Sequence, residues 1–122
     1  MRIVWHPKPD IIAIVISMNN VPIRLTVERW LHIIEFHKEL EGFRSEILLT
    51  IANPDILYSS PLGVTPNFAA VKVFDRLASF GLARNLVVHY REVSSFDGFI
   101  LTAFVMSNDG LKRRFRLWRK LR

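Results

Sequence analysis

Residues 86–106, LVVHYREVSSFDGFILTAFVM, contain the clearest indication of the fold, two strand-like segments joined by a short turn. Residues 86–92 and 99–106 are rich in β-branched and aromatic side chains, which favour strands. Residues 94–98 between them form a compact turn. Strands this close in sequence usually pair with each other, and a short connection makes the pair antiparallel. The sequence therefore predicts a long β-hairpin in the second half of the chain.

A second hairpin is predicted near the N-terminus. Residues 11–17, IIAIVIS, are almost all apolar and mostly β-branched, as in a buried strand. The pair Asn19-Asn20 suits a tight turn because asparagine tolerates positive φ. Residues 21–25 then alternate between apolar and polar side chains and complete the hairpin.

Two helices should follow this hairpin. Thr26 is a good N-cap for a helix that continues to Glu41, and Gly42 is a natural stop. Residues 43–52 predict a shorter helix that ends before Pro54. The apolar stripe of the first helix is expected to contain Val27, Trp30, Leu31, Ile34 and Leu40.

The order of the elements predicts the fold class. Residues 56–59 predict a short strand, while residues 68–77 combine helical and strand spacing. Helices precede most of the strands instead of alternating with them, which is typical of an α+β fold.

Composition limits the functional class. A chain of 122 residues, half of them hydrophobic, can bury the core of a single domain. It contains no cysteine, so disulfides and thiolate metal sites are excluded, as are cysteine nucleophiles. Its apolar runs are short and no signal-peptide pattern is present, so we expect a cytoplasmic protein without membrane contact.

The charge is concentrated at the C-terminal end. Residues 111–122 carry seven basic and no acidic side chains, whereas residues 1–110 carry ten basic and eleven acidic ones. We therefore expect one domain over residues 1–110, followed by a basic segment. Cations beside aromatic rings are typical of single-strand nucleic-acid binding, although a solvated basic end fits equally well. The candidate nucleic-acid-binding residues are Lys112, Arg113, Arg114, Phe115, Arg116, Trp118 and Arg119.

Several polar residues are candidates for catalysis. His37 lies three residues before Leu40, on or beside the apolar face of the first helix, where it is either a core histidine or a general acid–base. His89 and Arg91 share one face of a strand, which is either an ordinary solvated face or a phosphate site. Thr102 could hold a phosphate oxygen. The histidines lack metal-ligand spacing, so we expect no metal or other cofactor.

Four segments in order resemble the phage barnase–EndoU–colicin–RelE-like nucleases, small toxin-like α+β proteins often encoded in mobile elements. The similarity covers residues 22–107 and lies in PIRLTVERWLHIIEFHKEL, ILLTIANPDILY, LARNLVVHYRE and GFILTAFVMS. The resemblance implies two helices packed on a four-stranded antiparallel sheet, and metal-independent cleavage of RNA. It also implies that His37, Arg76 and Thr102 are site residues, and it favours a strand at residues 68–77.

Two main functional hypotheses follow. In the first, the chain is an endoribonuclease in which a ribose 2′-OH attacks the adjacent phosphate. His37 or His89 would move the proton, Arg76 and Arg91 would stabilise the phosphoryl charge, and Thr102 would position the phosphate. In the second, the same fold is a non-catalytic module that binds RNA or an acidic protein such as an antitoxin. A purely structural domain with a solvated tail is the third reading.

Overall fold

The structure is a computed structural model that describes residues 3–5, 10–61, 67–81 and 84–122. In these residues eight strands form one sheet, with two helices after the first three strands and a third helix near the end. The α+β class is confirmed, but the expectation of a four-stranded antiparallel sheet with two helices is wrong. The strands are β1 (Ile3–Trp5), β2 (Ile11–Ile16), β3 (Pro22–Thr26), β4 (Ile56–Ser59), β5 (Asn67–Val73), β6 (Asn85–Ser94), β7 (Asp97–Met106) and β8 (Arg119–Lys120). The helices are α1 (Val27–Phe36), α2 (Arg44–Ala52) and α3 (Asn108–Arg114).

The sheet has the strand order β1-β2-β3-β7-β6-β5-β4-β8. Both predicted hairpins are present, β2–β3 with Asn20 at a φ of 63° in its turn, and β6–β7. They join side by side through the parallel pair β3–β7, where Ile23 lies opposite Gly98. A Cβ at Gly98 would lie 2.5 Å from the carbonyl oxygen of Arg91 and 2.6 Å from Cδ1 of Ile23, so only glycine fits at this junction. The junction converts two local hairpins into one continuous sheet.

The first helix ends earlier than predicted. Thr26 caps it as expected, since its hydroxyl accepts a hydrogen bond from the backbone N–H of Arg29 at 3.2 Å. At His37 the backbone leaves the helical region, with φ −135° and ψ 63°, and a short 3₁₀ turn follows. The prediction that the helix continues to Glu41 is therefore wrong. Because the break is at His37, this residue lies at the C-terminal end of the helix and not within its apolar face.

The ambiguous segment 68–77 is mostly strand. β5 ends at Val73, and a 3₁₀ helix at Asp75–Phe80 follows. β5 pairs antiparallel with β4 on one side and β6 on the other, so it is a central strand. Because β5 lies inside the sheet and is covered on both faces, its four consecutive side chains from Phe68 to Val71 are buried.

The two faces of the sheet bury different cores. We call the larger one the helix-side core, because α1 and α2 pack on it; its buried side chains are mainly aliphatic. The smaller cap-side core lies on the opposite face. It consists of Ala69, Val71, Val87, Leu111 and Phe115, with Ile56, Tyr58, Phe104, Met106 and Trp118 packed against them.

The basic C-terminal segment covers the cap-side core. We call residues 108–122 the C-terminal cap; it comprises α3, the turn that follows and β8. β8 pairs antiparallel with β4, with Tyr58 opposite Lys120 and Ser59 opposite Arg119. The expected boundary between residues 110 and 111 lies inside α3. The cap is therefore a part of the domain and not an appended tail.

Within the described residues, no helix is both long and apolar enough to cross a membrane.

Candidate nucleic-acid interface

The cap holds its cations on an ordered scaffold. Ser107 caps α3 by accepting a hydrogen bond from the backbone N–H of Gly110 at 3.1 Å. Three of the cations occupy the last turn of α3, where the negative end of the helix dipole stabilises positive charge. All seven are exposed, and in the part of the chain that the structure describes none forms a salt bridge. They are Lys112, Arg113, Arg114, Arg116, Arg119, Lys120 and Arg122.

Of the eight cations elsewhere in the described chain, four are paired with carboxylates. Arg24 forms a two-point contact with Asp97, at 2.8 and 3.0 Å. Arg29 pairs with Glu28, Lys72 with Asp55 and Arg76 with Glu46. The positive potential available to a polyanion is therefore concentrated on the cap.

The two aromatic residues of the cap have different positions. Phe115 is only 3% exposed, and its ring stacks on Tyr58 at a centroid distance of 4.7 Å. This burial makes Phe115 a core residue and corrects the expectation that it stacks on bases. Trp118 packs edge-on against Phe115 at 5.1 Å but keeps part of its indole in solvent. It is the cap ring available to a nucleobase.

His89 lies beneath the cap. Its ring is surrounded by Phe104, Phe115 and Trp118, at centroid distances of 5.5, 5.7 and 5.6 Å. Its Nε2 is buried without a hydrogen-bond partner among the described residues. Burial, reinforced by the nearby charge of Arg114, lowers the pKa of His89 to about 4. The imidazole is therefore neutral near pH 7, and its position is that of a core residue and not of an accessible proton carrier.

A cavity of about 390 Å³ lies beside the cap, along the C-terminal half of β7. It brings together His37 from the end of α1, Thr102 from β7 and Arg114 from α3. Nδ1 of His37 lies 3.8 Å from a carboxylate oxygen of Glu39. The guanidinium of Arg114 lies over the ring of Phe104, 4.7 Å from its centroid. An imidazole, a hydroxyl and a cation thus line one space, together with Phe104, Val105 and Met106.

The two other predicted catalytic residues lie outside this cavity. Arg76 pairs with Glu46, donates to the carbonyl of Gly42 at 3.2 Å and lies over the ring of Phe43. Arg91 donates from Nε to the side-chain oxygen of Asn67 at 2.8 Å. Both guanidinium groups are already engaged by protein partners. Of the five predicted catalytic residues, the cavity collects only His37 and Thr102.

Sequence reasoning did not place Arg114 in the cavity. Arg114 was expected to belong to the basic segment, with no link to His37 or Thr102. Its place depends on the path of α3, which folds back over the sheet after β7. The available signal was Ser107, a good N-cap that predicts a helix immediately after the strand.

Among the described residues, no three His, Asp or Glu side chains are grouped closely enough to hold a metal ion.

Comparison with known proteins identifies no relative: no family model, no curated protein and no solved structure matches the chain.

Proposed function

We propose that this protein binds single-stranded RNA with the C-terminal cap and the adjacent cavity. The observation that carries this proposal is the set of seven exposed cap cations that are unpaired among the described residues. Unpaired cations on ordered elements need no internal salt bridge to be broken before they contact phosphates. Each phosphate contact releases condensed counterions, which supplies much of the affinity.

Trp118 and the cavity add contacts that pure charge does not provide. A partly exposed indole can stack on a base of any sequence. Arg114, already over the Phe104 ring, provides a planar cation at the mouth of the cavity. The Thr102 hydroxyl can donate a hydrogen bond to a phosphate or ribose oxygen there. A single strand can present both its backbone and its bases to these groups, whereas a duplex hides its bases.

Fluorescence anisotropy with a labelled single-stranded RNA tests the proposal. The double substitution Lys112→Ala/Arg113→Ala should lower the affinity and reduce the steepness of its salt dependence, by about 0.7 in the log–log slope for each lost phosphate contact. The matched control is Arg24→Ala/Lys72→Ala, which removes the same charge from residues paired on the body. Equal losses in both variants would attribute binding to net charge alone and would contradict a specific role of the cap.

An acidic protein is the alternative partner, because it would use the same cations. It would not require the exposed indole edge of Trp118 for stacking. A preferential loss of RNA affinity in Trp118→Ala therefore supports RNA, while unaltered RNA affinity in that variant favours a protein partner.

Cleavage of the bound RNA is a second candidate function, favoured by the convergence of His37, Thr102 and Arg114. In this reaction His37 accepts the proton of a ribose 2′-OH as the oxygen attacks the adjacent phosphorus. The P–O5′ bond breaks, a 2′,3′-cyclic phosphate forms, and the departing 5′ oxygen takes a proton from water. Arg114 stabilises the charge on the phosphoryl oxygens, and Glu39, 3.8 Å from Nδ1 of His37, stabilises the positive charge that the ring acquires.

Incubation of purified protein with assorted RNAs in EDTA tests this reaction. The expected products end in 2′,3′-cyclic phosphates, and His37→Ala should slow their formation by about 10²–10⁴-fold. Lys38→Ala, at the neighbouring exposed position, is the control and should retain the rate. RNA that is bound but left intact would eliminate cleavage and leave the binding function in place.

A further inference from the structure

A second groove, of about 850 Å³, runs along α1 from its N-cap Thr26 to Glu35, beside Asp10, which precedes β2. The backbone N–H of Val27 donates to the carbonyl of Asp10 at 3.1 Å and joins the two walls. The groove is open to solvent and is unrelated to the cavity beside the cap. Its lining residues are Asp10, Thr26, Val27, Glu28, Leu31, His32 and Glu35.

The chemistry of this groove is acidic and partly apolar. It contains three carboxylates, and of these only Glu28 forms a salt bridge in the described part of the chain, with Arg29. Between the carboxylates lies Leu31, which was expected in the core but is 55% exposed. An exposed apolar side chain between carboxylates fits a surface that combines cations with a protruding apolar side chain.

The C-terminal cap is such a surface. Leu117, in the turn between α3 and β8, is 73% exposed. Arg116 precedes it and Arg113 lies one turn earlier, and both are exposed without a salt bridge among the described residues. The cap therefore presents an apolar side chain between cations, which complements the groove in both charge and polarity.

The cap cannot reach the groove of its own chain. β8 is hydrogen-bonded to β4, and four strands separate it from β3, which leads into α1. The side chain of Arg122 lies near Met18, at the turn of the β2–β3 hairpin. The groove lies at the other end of that hairpin, where Ile11 is paired with Thr26. Any cap that enters the groove must belong to another molecule.

We propose that two copies of this chain associate head to tail, with the cap of one copy, centred on Leu117, seated in the Asp10–Glu35 groove of the other. A contact of this kind is small and strongly charged, so we expect weak association that is lost as salt is raised. This interaction goes beyond RNA binding, but it uses the same cap. RNA and a second copy therefore compete for Arg113 and Arg116.

Sedimentation velocity of the full chain at high concentration and low salt tests the proposal. The wild-type protein should form dimers and, because each dimer leaves one cap and one groove free, longer head-to-tail chains, all of which dissociate at high salt. Glu35→Lys and Arg116→Glu should each be monomeric. A 1:1 mixture of these two variants should dimerise again, because it contains one intact groove and one intact cap. Glu41→Lys, which makes the same charge change at an exposed position outside the groove, should dimerise like the wild type.

A wild-type protein that stays monomeric under these conditions would overturn the proposal. So would a Glu35→Lys variant that still associates, or a mixture that does not. RNA affinity measured at dilute protein separates this proposal from the function proposed above. Glu35→Lys should bind RNA like the wild type, since Glu35 belongs neither to the cap nor to the lining of the cavity beside it, whereas Arg116→Glu should bind RNA more weakly.

Discussion

The two faces of the sheet differ in the size and composition of the cores that they bury. The helix-side core is large and mainly aliphatic, and cations around it, such as Arg76 and Lys72, are paired. The cap-side core is small and aromatic, contains a mostly buried imidazole, and supports cations that are unpaired among the described residues. The comparison indicates that the helix side supplies most of the stability. The cap side uses a modest core to hold a charged surface in a fixed position.

The largest expected effect concerns whether the cap-side core is a true core. Phe115→Ala should lower the free energy of unfolding by about 3–5 kcal/mol, because it leaves a cavity between Tyr58 and His89. Ile51→Ala, on the helix side, should cost about 2–5 kcal/mol. Urea denaturation of both variants measures the two costs. Leu117→Ala, an exposed apolar control on the cap, should change the stability by less than about 0.5 kcal/mol. A Phe115 variant as stable as this control would mean that the cap only rests on the sheet.

The second expected effect is a pH dependence of the free energy of unfolding, caused by His89 beneath the cap. The pKa of His89 is about 4 in the folded protein and about 6.5 when unfolded. Because the pKa of His89 is lower in the folded protein, the unfolded chain takes up a proton first as the pH falls. The free energy of unfolding is therefore highest above pH 6.5 and decreases as the pH falls towards 4. The linkage relation gives a loss of about 2 kcal/mol between pH 7.5 and 5.

His89→Leu should remove this loss from the stability–pH profile, since the variant has no proton to bind at that position. His32→Leu removes a histidine from the outer side of α1 and should retain it. Denaturant midpoints at several pH values compare the variants with the wild type. A profile that His89→Leu leaves unchanged would show that His89 is solvated in solution.

The third expected effect is the contribution of the Trp118 ring to RNA affinity. Trp118→Ala should weaken single-stranded RNA binding about 5- to 10-fold, at the lower end of the range for base–aromatic stacking, because the indole is partly covered. Phe96→Ala is the matched control, since this ring is 86% exposed and belongs to the β6–β7 turn and not to the cap. Anisotropy titrations should show an effect only for Trp118. A similar loss in both variants would point to non-specific aromatic contacts.

The smallest expected effect concerns the salt bridges that lie outside the cap. Arg24→Ala should cost less than about 1 kcal/mol, because its salt bridge with Asp97 is partly exposed. Arg113→Ala should cost even less in stability, since no salt bridge among the described residues is lost, but it should weaken RNA binding. Thermal and urea unfolding measure the stability of each variant, and RNA titrations measure its affinity. Arg24→Ala should lose more stability, whereas Arg113→Ala should lose more RNA affinity. If Arg24→Ala weakens RNA binding as much as Arg113→Ala, the functional division between the two regions is wrong.

The local features of this protein can be predicted from its sequence. The Asn20 turn, the Thr26 cap and the β6–β7 hairpin depend on residues within a few positions of one another, so their signals are complete in short segments. The concentration of positive charge at the C-terminal end is likewise a property of the sequence alone. Charge counts, however, do not show whether a basic segment is free or folded.

How the hairpins, helices and cap combine is visible only in the tertiary structure. The parallel junction of β3 with β7 joins residues about 75 positions apart, and neither strand alone specifies its neighbour. The cap folds over the sheet because a second apolar face, formed by β4–β7, must be covered. That packing buries His89 and Phe115 together, although each has the pattern of a surface residue in its own segment. The same packing brings Arg114 to His37 and Thr102. Burial depends on contacts between distant residues, and for that reason the composition of the site could not be derived from any single segment.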